Sequence, residues 1–460
     1  MQTNMFSQQQ SKAFIKDLVN TDEAPQPRRI AARVIGLSKR FGTTPVLENI
    51  NFDVAEGETL VLLGASGSGK TTILRTIAGL EQPDTGYVIL HGKDVTNLPV
   101  RERGVGVIFQ SYALFPKMTV EQNIGYGLRI RRRNRKEIRT AVGHLLELVR
   151  LKEHRQKYPG QLSGGQQQRV AIARTLAYEP EVLLFDEPFG ALDAQTRTHL
   201  RREIRTLLRK VKVPAIFITH DQEEALELGD RIAVINDGHI EQIGTPQEVY
   251  DQSATEYVAS FLGRANLLLG IIRHGSVQVG STLLPLRSEQ QKVREGQAVS
   301  LVFRPEDVRL TKNDPLPWDC HHFSCGIVEE VRFAGAYERL FVQLGLNKPL
   351  TQGSDSGRFS LPSNKPEHDL AQRIVVTRLK PEPSAPRFKI GDQVRVGLVS
   401  FTVLPIERLP DSRPKEFSVS AKRLCTKTPK SHPTAVGGWF RSSLQRLELE
   451  ASLNPSNGRD

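Results

Sequence analysis

The stretch Thr59–Thr72, TLVLLGASGSGKTT, constrains the fold more than any other part of this chain. TLVLL has no alternating polar face, so it reads as a strand buried on both sides. A strand covered on both faces belongs to a largely parallel sheet with other layers packed over it. The strand runs into a glycine-rich turn and then a helix start, the context that the pattern G-x-x-x-x-G-K-[ST] requires. Gly64, Gly67 and Gly69 let backbone N–H groups turn inward onto phosphate oxygens with no Cβ in the way. Lys70 is placed to reach the β- and γ-phosphates and the Thr71 hydroxyl to hold Mg²⁺. Ala65, Ser66, Ser68 and Thr72 complete the cradle.

From Arg33 short β-branched runs alternate with helical patterns, the signature of an α/β fold. Buried strands are expected at Thr59–Leu63, Val105–Phe109, Val182–Phe185, Ala215–Thr219 and Ile232–Ile235. Between Ser111 and Gly160 the strands stop. There Ile138, Val142, Leu145, Leu146 and Val149 recur at helical spacing, so a helical insert interrupts the core, about 111–178. After Arg264 short strand-like runs alternate with Gly and Pro turns: Val299–Arg304, Gly326–Glu330 and Leu340–Leu344. This reads as a small all-β barrel or sandwich, with Lys389–Val403 as a returning strand pair and Asn347–Gln372 as an exposed loop. The expected division is a leader at 1–32, an α/β domain at 33–263, a β domain at 264–408 and a basic tail at 409–460.

Four further segments carry chemistry. The apolar run before Asp186-Glu187 puts two carboxylates at a strand end, Asp186 to bind Mg²⁺ and Glu187 to polarise a water attacking a γ-phosphate. Gln110 and His220 each end an apolar run. Leu162–Arg169, LSGGQQQR, has a hydroxyl and two glycines opening a helix, which makes a second phosphate cradle far from the first.

In that order and spacing, GKTT, Gln110, LSGGQ, Asp186-Glu187, Asp193 and His220 resemble the nucleotide-binding subunits of ABC transporters over about Val34–Gly263. The resemblance implies an ABC-type P-loop NTPase fold with a helical subdomain. Lys70 and Thr71 would be Walker A, Gln110 the Q-loop, Asp186 and Glu187 Walker B, Asp193 the D-loop and His220 the switch histidine. Glu187, His220, Gln110 and Lys70 would be catalytic. Thr71, Gln110 and Asp186 would hold Mg²⁺. Phe41, in KRFG, falls where the family stacks an aromatic on adenine. Ala65 stands where Pro is common, which leaves the cradle glycines intact. In this family two subunits sandwich ATP head to tail, so Ser163, Gly164, Gly165 and Gln166 would contact the γ-phosphate bound by the partner. That implies a homodimer, two transmembrane permease subunits and, indirectly, a periplasmic or extracellular substrate-binding protein. It also implies a peripheral place on the cytoplasmic face of the inner membrane.

The segments 263–280 and 302–310 resemble the TOBE-type β module of importer ATPases, an OB-like fold. The segments 189–207 and 220–250 resemble the sulfate/thiosulfate group, with Fe(III), polyamine, molybdate and sugar importers as the alternatives. A soluble ABC protein of DNA repair or translation would carry two cassettes or a long coiled-coil insert, and a purely regulatory relative would lack Glu187 or His220.

Composition adds limits. No apolar run reaches the roughly 18–20 residues that cross a bilayer, and the N-terminal stretch has no apolar signal core. Three cysteines are too few for a disulfide scaffold and suit a reducing cytosol. The net charge of +12 is concentrated in Arg129–Arg139 and the segment after Leu409. Such runs are ordinarily solvated surface, and no nucleic-acid partner is expected. Cys320 and Cys325 flank His321 and His322, but structural zinc sites usually join two separated ligand pairs, so these are read as β-domain residues.

Overall fold

The computed structural model describes residues 29–190, 192–286, 293–312, 315–345, 373–379 and 387–406. Most of the expected leader, the loop Asn347–Gln372, Cys425 and the tail at 409–460 lie outside these residues.

The α/β part begins with a long hairpin, β1 (Ile30–Phe41) and β2 (Thr44–Ala55), so the first strand starts inside the expected leader. Next come β3 (Thr59–Gly64), α1 (Lys70–Ala78), β4 (Thr85–Leu90), β5 (Lys93–Asp94) and β6 (Val105–Ile108). A strand-free stretch follows, with α2 (Val120–Ile124), α3 (Tyr126–Ile130), α4 (Arg135–Leu148) and α5 (Gly164–Leu176). Then β7 (Val182–Asp186), α6 (Ala194–Val211), β8 (Ala215–Thr219), α7 (Gln222–Leu228) and β9 (Arg231–Asn236) alternate. β10 (His239–Gly244), α8 (Pro246–Asp251) and α9 (Glu256–Phe261) end this part.

Among the described residues the central sheet runs β10-β9-β3-β8-β7-β6, parallel except for β10. Successive side chains of each strand point to opposite faces. Val61, Leu63, Phe185 and Phe217 therefore join the core on the side of the helical insert. Leu60, Leu62, Leu184 and Ile216 face α1 and a second, antiparallel sheet, β2-β1-β4-β5. Both faces are covered, which is why these strands read as unbroken apolar runs. The rings of Phe185 and Phe217 stack across adjacent strands at 4.0 Å. In α4 the expected stripe is real: Val142 and Leu146 are buried, with Ile138 and Leu145 packed against the same core.

The remaining strands are β11 (Asn266–Arg273), β12 (Ser276–Val279), β13 (Thr282–Pro285), β14 (Ala298–Phe303) and β15 (Val308–Thr311). They continue with β16 (His321–Ala334), β17 (Tyr337–Leu344), β18 (Arg373–Leu379), β19 (Gln393–Leu398) and β20 (Thr402–Pro405). Among the described residues they form two antiparallel sheets, β13-β12-β11-β14-β20 and β15-β19-β16-β17-β18. Leu301, Phe303, Phe323, Val342 and Val396 fill one shared core. The expected pair within Lys389–Val403 does not form. β19 bonds to β15 and β16, whereas β20 bonds to β14 in the other sheet. The chain switches sheets at 399–401, because each strand finds its cover across the sandwich rather than beside its neighbour in sequence.

Arg304, at the end of β14, is buried and pins the β region to the helices before it. Its guanidinium donates to the carbonyl oxygens of Tyr250, Ala259 and Leu262 and to the Ser253 hydroxyl, with the Tyr250 ring 4.1 Å beneath it. No helix among the described residues is long and apolar enough to cross a membrane.

Candidate functional site

Sheet order assembles the site. The strand neighbours β3, β8, β7 and β6 are parallel, so their carboxyl ends lie in one row. Those ends carry the Gly64–Thr72 loop, His220, Asp186-Glu187 and Gln110 respectively. The row is the crevice at which open parallel sheets bind ligands.

At one end of the row, the loop's shape depends on glycine. Gly67 and Gly69 take φ of 86° and 99°, a region that residues with a Cβ avoid. A Cβ on Gly64 would lie 2.3 Å from the Ile235 carbonyl oxygen, and one on Gly69 would lie 2.6 Å from Leu47. Gly69 also caps α1, leaving the first N–H groups of that helix directed at the loop. The Lys70 ammonium is buried and has no carboxylate partner within salt-bridge distance among the described residues. It donates instead to the carbonyl oxygens of Gly64 and Ala65, at 2.9 and 2.7 Å, and to the Ser68 hydroxyl. Burial lowers its pKa, opposed by the charge of Glu187.

Asp186 ends β7, and its pKa is raised, first by burial and then by the adjacent Glu187, with Arg75 pulling the other way. Glu187 holds a left-handed φ of 44° while its N–H donates to the Ile218 carbonyl. Such strain in a non-glycine residue costs of order 1–3 kcal/mol and persists where the surroundings over-determine it. The turn brings the Glu187 carboxylate 3.1 Å from His220 Nδ1. Gln110 lies against Gly190, its Nε2 3.1 Å from where a Cβ there would be. A lone lysine held by carbonyls beside a carboxylate kept short of its preferred charge is a site with unmatched charge. A triphosphate with a divalent cation supplies the complements, and the glycine cradle leaves room for phosphate, so the residues fit both.

The second cradle stands apart. Ser163 caps α5: its Oγ accepts from Gln166 N–H, while the Gln166 side chain accepts from Ser163 N–H at 3.0 Å. Gly164 packs so closely on Leu192 that a Cβ would meet it at 2.7 Å. Asp193, the residue after Leu192, caps α6 by accepting from Thr196 N–H, which lowers its pKa. Among the described residues no hydrogen bond joins Ser163–Gln166 to the Gly64–Thr72 loop. Phe41 is half-exposed at the β1–β2 turn, with the Lys39 ammonium 5.3 Å from its ring. Val46 and Leu47 on the same hairpin abut Gly69, which places Phe41 on the element that borders the loop.

Two arginines that sequence reasoning passed over tie these pieces together. Arg174 on α5 donates to the carbonyl oxygens of Tyr112 and Ala113, two consecutive left-handed residues just after Gln110. Arg197, one turn into α6, donates to the Leu192 carbonyl at 3.0 Å and to Asp221, the neighbour of His220, at 3.3 Å. Their only sequence signal is position, one helical turn or more past a cap, which does not name the partner. His321 and His322 lie on β16, and no group of three His, Cys, Asp or Glu among the described residues is placed to hold a metal ion.

Residues 47–190 match the family described as ABC transporter. The chain is 46% identical over 315 residues to the spermidine/putrescine import ATP-binding protein of Oleidesulfovibrio alaskensis, covering 67% of this chain and 84% of that one. It is 50% identical over 280 residues to the sulfate/thiosulfate import ATP-binding protein of Xanthomonas campestris, covering 60% and 81%. Among solved structures it is similar to cbiO1 from Clostridium perfringens, part of the ABC transporter complex cbiONQ, with 27% identity, a TM-score of 0.46 and coverage of 48% and 90%.

Proposed function

This chain belongs to the ABC transporter family as an import-type, nucleotide-binding ATPase subunit, and on that premise we propose that it powers uptake of sulfate or thiosulfate as a homodimer on two permease subunits. The observation that supports the pairing is that, among the described residues, no hydrogen bond joins the Ser163 helix start to the Gly64–Thr72 loop. Head-to-tail association supplies the partner's loop, so each of two composite sites takes residues from both copies.

Within a site, Lys70 and the amides of Gly64–Thr72 bind the β- and γ-phosphates, and Phe41 stacks on adenine. Ser163, Gly164, Gly165 and Gln166, presented by the other copy with Asp193, close over the γ-phosphate. Glu187 orients the attacking water and accepts its proton, and His220 holds Glu187 from behind. Thr71, Gln110 and Asp186 would hold Mg²⁺, which when bound neutralises phosphate charge. The helical insert then passes closure to the permeases at the cytoplasmic face, while a binding protein outside selects the cargo. This reading assigns the ATPase to the part from β1, which starts at Ile30, to 263, and 264–408 to a TOBE-like domain.

Relatives named for sulfate/thiosulfate import recur among the matches at 44–50% identity, which supports the sulfate assignment. A polyamine cargo is the second reading, favoured by the spermidine/putrescine relative. Deleting the gene in a host with no second sulfate importer should abolish uptake of labelled sulfate and spare growth on cysteine. Unchanged sulfate uptake with lost putrescine uptake would move the assignment to polyamines.

A further inference from the structure

His154 stands behind the second cradle, at the end of a single helical turn, Lys152–His154. Its half-buried ring meets the Gln166 side chain, with Nε2 of the histidine 3.1 Å from Nε2 of the glutamine. Two nitrogens at that distance need one donor and one acceptor. The Gln166 amide is not free to turn round, because its Oε1 already accepts from Ser163 N–H at 3.0 Å. Gln166 Nε2 therefore donates, and His154 Nε2 must be bare to accept. The ring proton is then on Nδ1, a buried atom with no hydrogen-bond partner among the described residues. A buried donor left unpaired is a cost that few positions carry, so the ring is held there by what surrounds it. The turn beneath it is fixed to α2. Val120 N–H donates to the Lys157 carbonyl at 2.8 Å and Glu121 N–H to the Arg155 carbonyl at 3.1 Å, and the Arg155 guanidinium pairs with the Glu121 carboxylate.

We propose that His154 is the positioning residue of the second cradle: it fixes the Gln166 amide, and the amide fixes Ser163. Ser163 Oγ accepts from Gln166 N–H at 3.3 Å, so its own proton is not spent there and can be donated outward. Ser163 is exposed, and the unpaired N–H groups of Gly164 and Gly165 open the helix beside it. Without the acceptor on His154 the amide could rotate and turn its NH₂ toward Ser163 N–H. That would undo one arm of the capping box and loosen the cradle. The role rests on the reading in which Ser163–Gln166 closes over the γ-phosphate held by the other copy.

Kinetics of the full chain test this. His154→Leu should lower kcat for ATP hydrolysis about five- to tenfold, the loss of one hydrogen bond at the closed site, and leave ATP affinity for the Lys70 loop unchanged. His154→Gln sets an oxygen near the place of Nε2 and should regain much of the rate. His154→Asn reaches only to the place of Nδ1 and should not; rescue by Asn in preference to Gln overturns the role of Nε2. Heterodimers isolated through a different tag on each chain then carry the same substitutions in two arrangements. With Lys70→Ala and His154→Leu on separate chains, the one working site uses an intact cradle and should match a Lys70→Ala/wild-type pair. With both on one chain, the working site uses the altered cradle and should be about five- to tenfold slower. A weakened fold would weigh equally on both arrangements. Equal rates in the two, or a His154→Leu homodimer within about twofold of wild type, overturn the proposal. Ser163→Asp in the same two arrangements reports on the shared site itself. If it separates them and His154→Leu does not, only the role of His154 falls. If neither separates them, the shared-site reading falls and takes this role with it.

Discussion

Ser163→Asp separates two jobs that one hydroxyl performs. As a helix cap, Ser163 accepts from the Gln166 N–H at 3.3 Å. Asp caps as well as Ser does and also suits the positive helix N-terminus, so the variant should keep its stability within about 0.5 kcal/mol. Ser163→Ala, which deletes the cap, should cost about 1 kcal/mol. In the composite site the order reverses. A carboxylate about 4 Å from a γ-phosphate charge, at an effective dielectric near 20, is repelled by about 4 kcal/mol. A penalty of that size is roughly a thousandfold in rate. ATPase activity and the melting midpoint should therefore move independently: Ser163→Asp nearly inactive and fully stable, Ser163→Ala less stable by a few degrees and partly active. Nucleotide binding to the Lys70 loop should survive in both. Mixing Ser163→Asp with Lys70→Ala chains should recover activity, because one site of the heterodimer keeps both intact halves. If Ser163→Asp hydrolyses ATP within about twofold of wild type, Ser163 is only a cap and the shared-site argument fails.

Glu187→Gln should bind ATP, accumulate as a dimer on gel filtration and lose nearly all hydrolysis; undiminished hydrolysis would show that another group receives the water's proton. Asp186→Asn should stabilise the nucleotide-free chain near neutral pH. The raised pKa of Asp186 means that the fold disfavours its charged form, a cost present above the folded pKa and gone once the carboxyl is protonated. The gain in melting midpoint should thus shrink as pH falls toward the carboxylate range, and an equal gain at all pH would point to packing instead. Arg304→Met strands buried acceptors at Tyr250, Ala259 and Leu262. It should cost about 3 kcal/mol and expose the 262–266 segment to limited proteolysis, and a cleavage rate like the wild type's would refute that role.

Much of the fold was legible because its signals are local. Unbroken apolar runs mark β3, β7, β8 and β9 since both faces are covered, and the stripe of α4 follows helical spacing. The long β1–β2 hairpin was not read, because repeated register shifts against β2 and β4 break up the regular two-residue burial that would mark a strand. The supposed pair at the end of the β region failed for a related reason. Adjacent strands in sequence can enter different sheets when a sandwich offers each a better neighbour. Arg174, Arg197 and Gln222 were invisible as well, since they bind backbone groups, which every residue possesses, and for Arg197 also the Asp221 carboxylate, which only the fold brings near.

What the sequence by itself determined is each piece of chemistry and its local shape. Glycines at 64, 67 and 69 impose the cradle, and Ser163, Asp193 and Asp221 start helices, because such choices depend on residues a few positions away. Only the tertiary structure decided which pieces meet. Along the chain Lys70 is followed by Gln110, Ser163, Glu187 and His220. Across the sheet β3 lies beside β8, so the loop's neighbour is His220, with Glu187 next and Gln110 beyond. That order comes from pairing between strands distant in sequence, Leu60 with Ile216 among them, and it also leaves Ser163 outside the row.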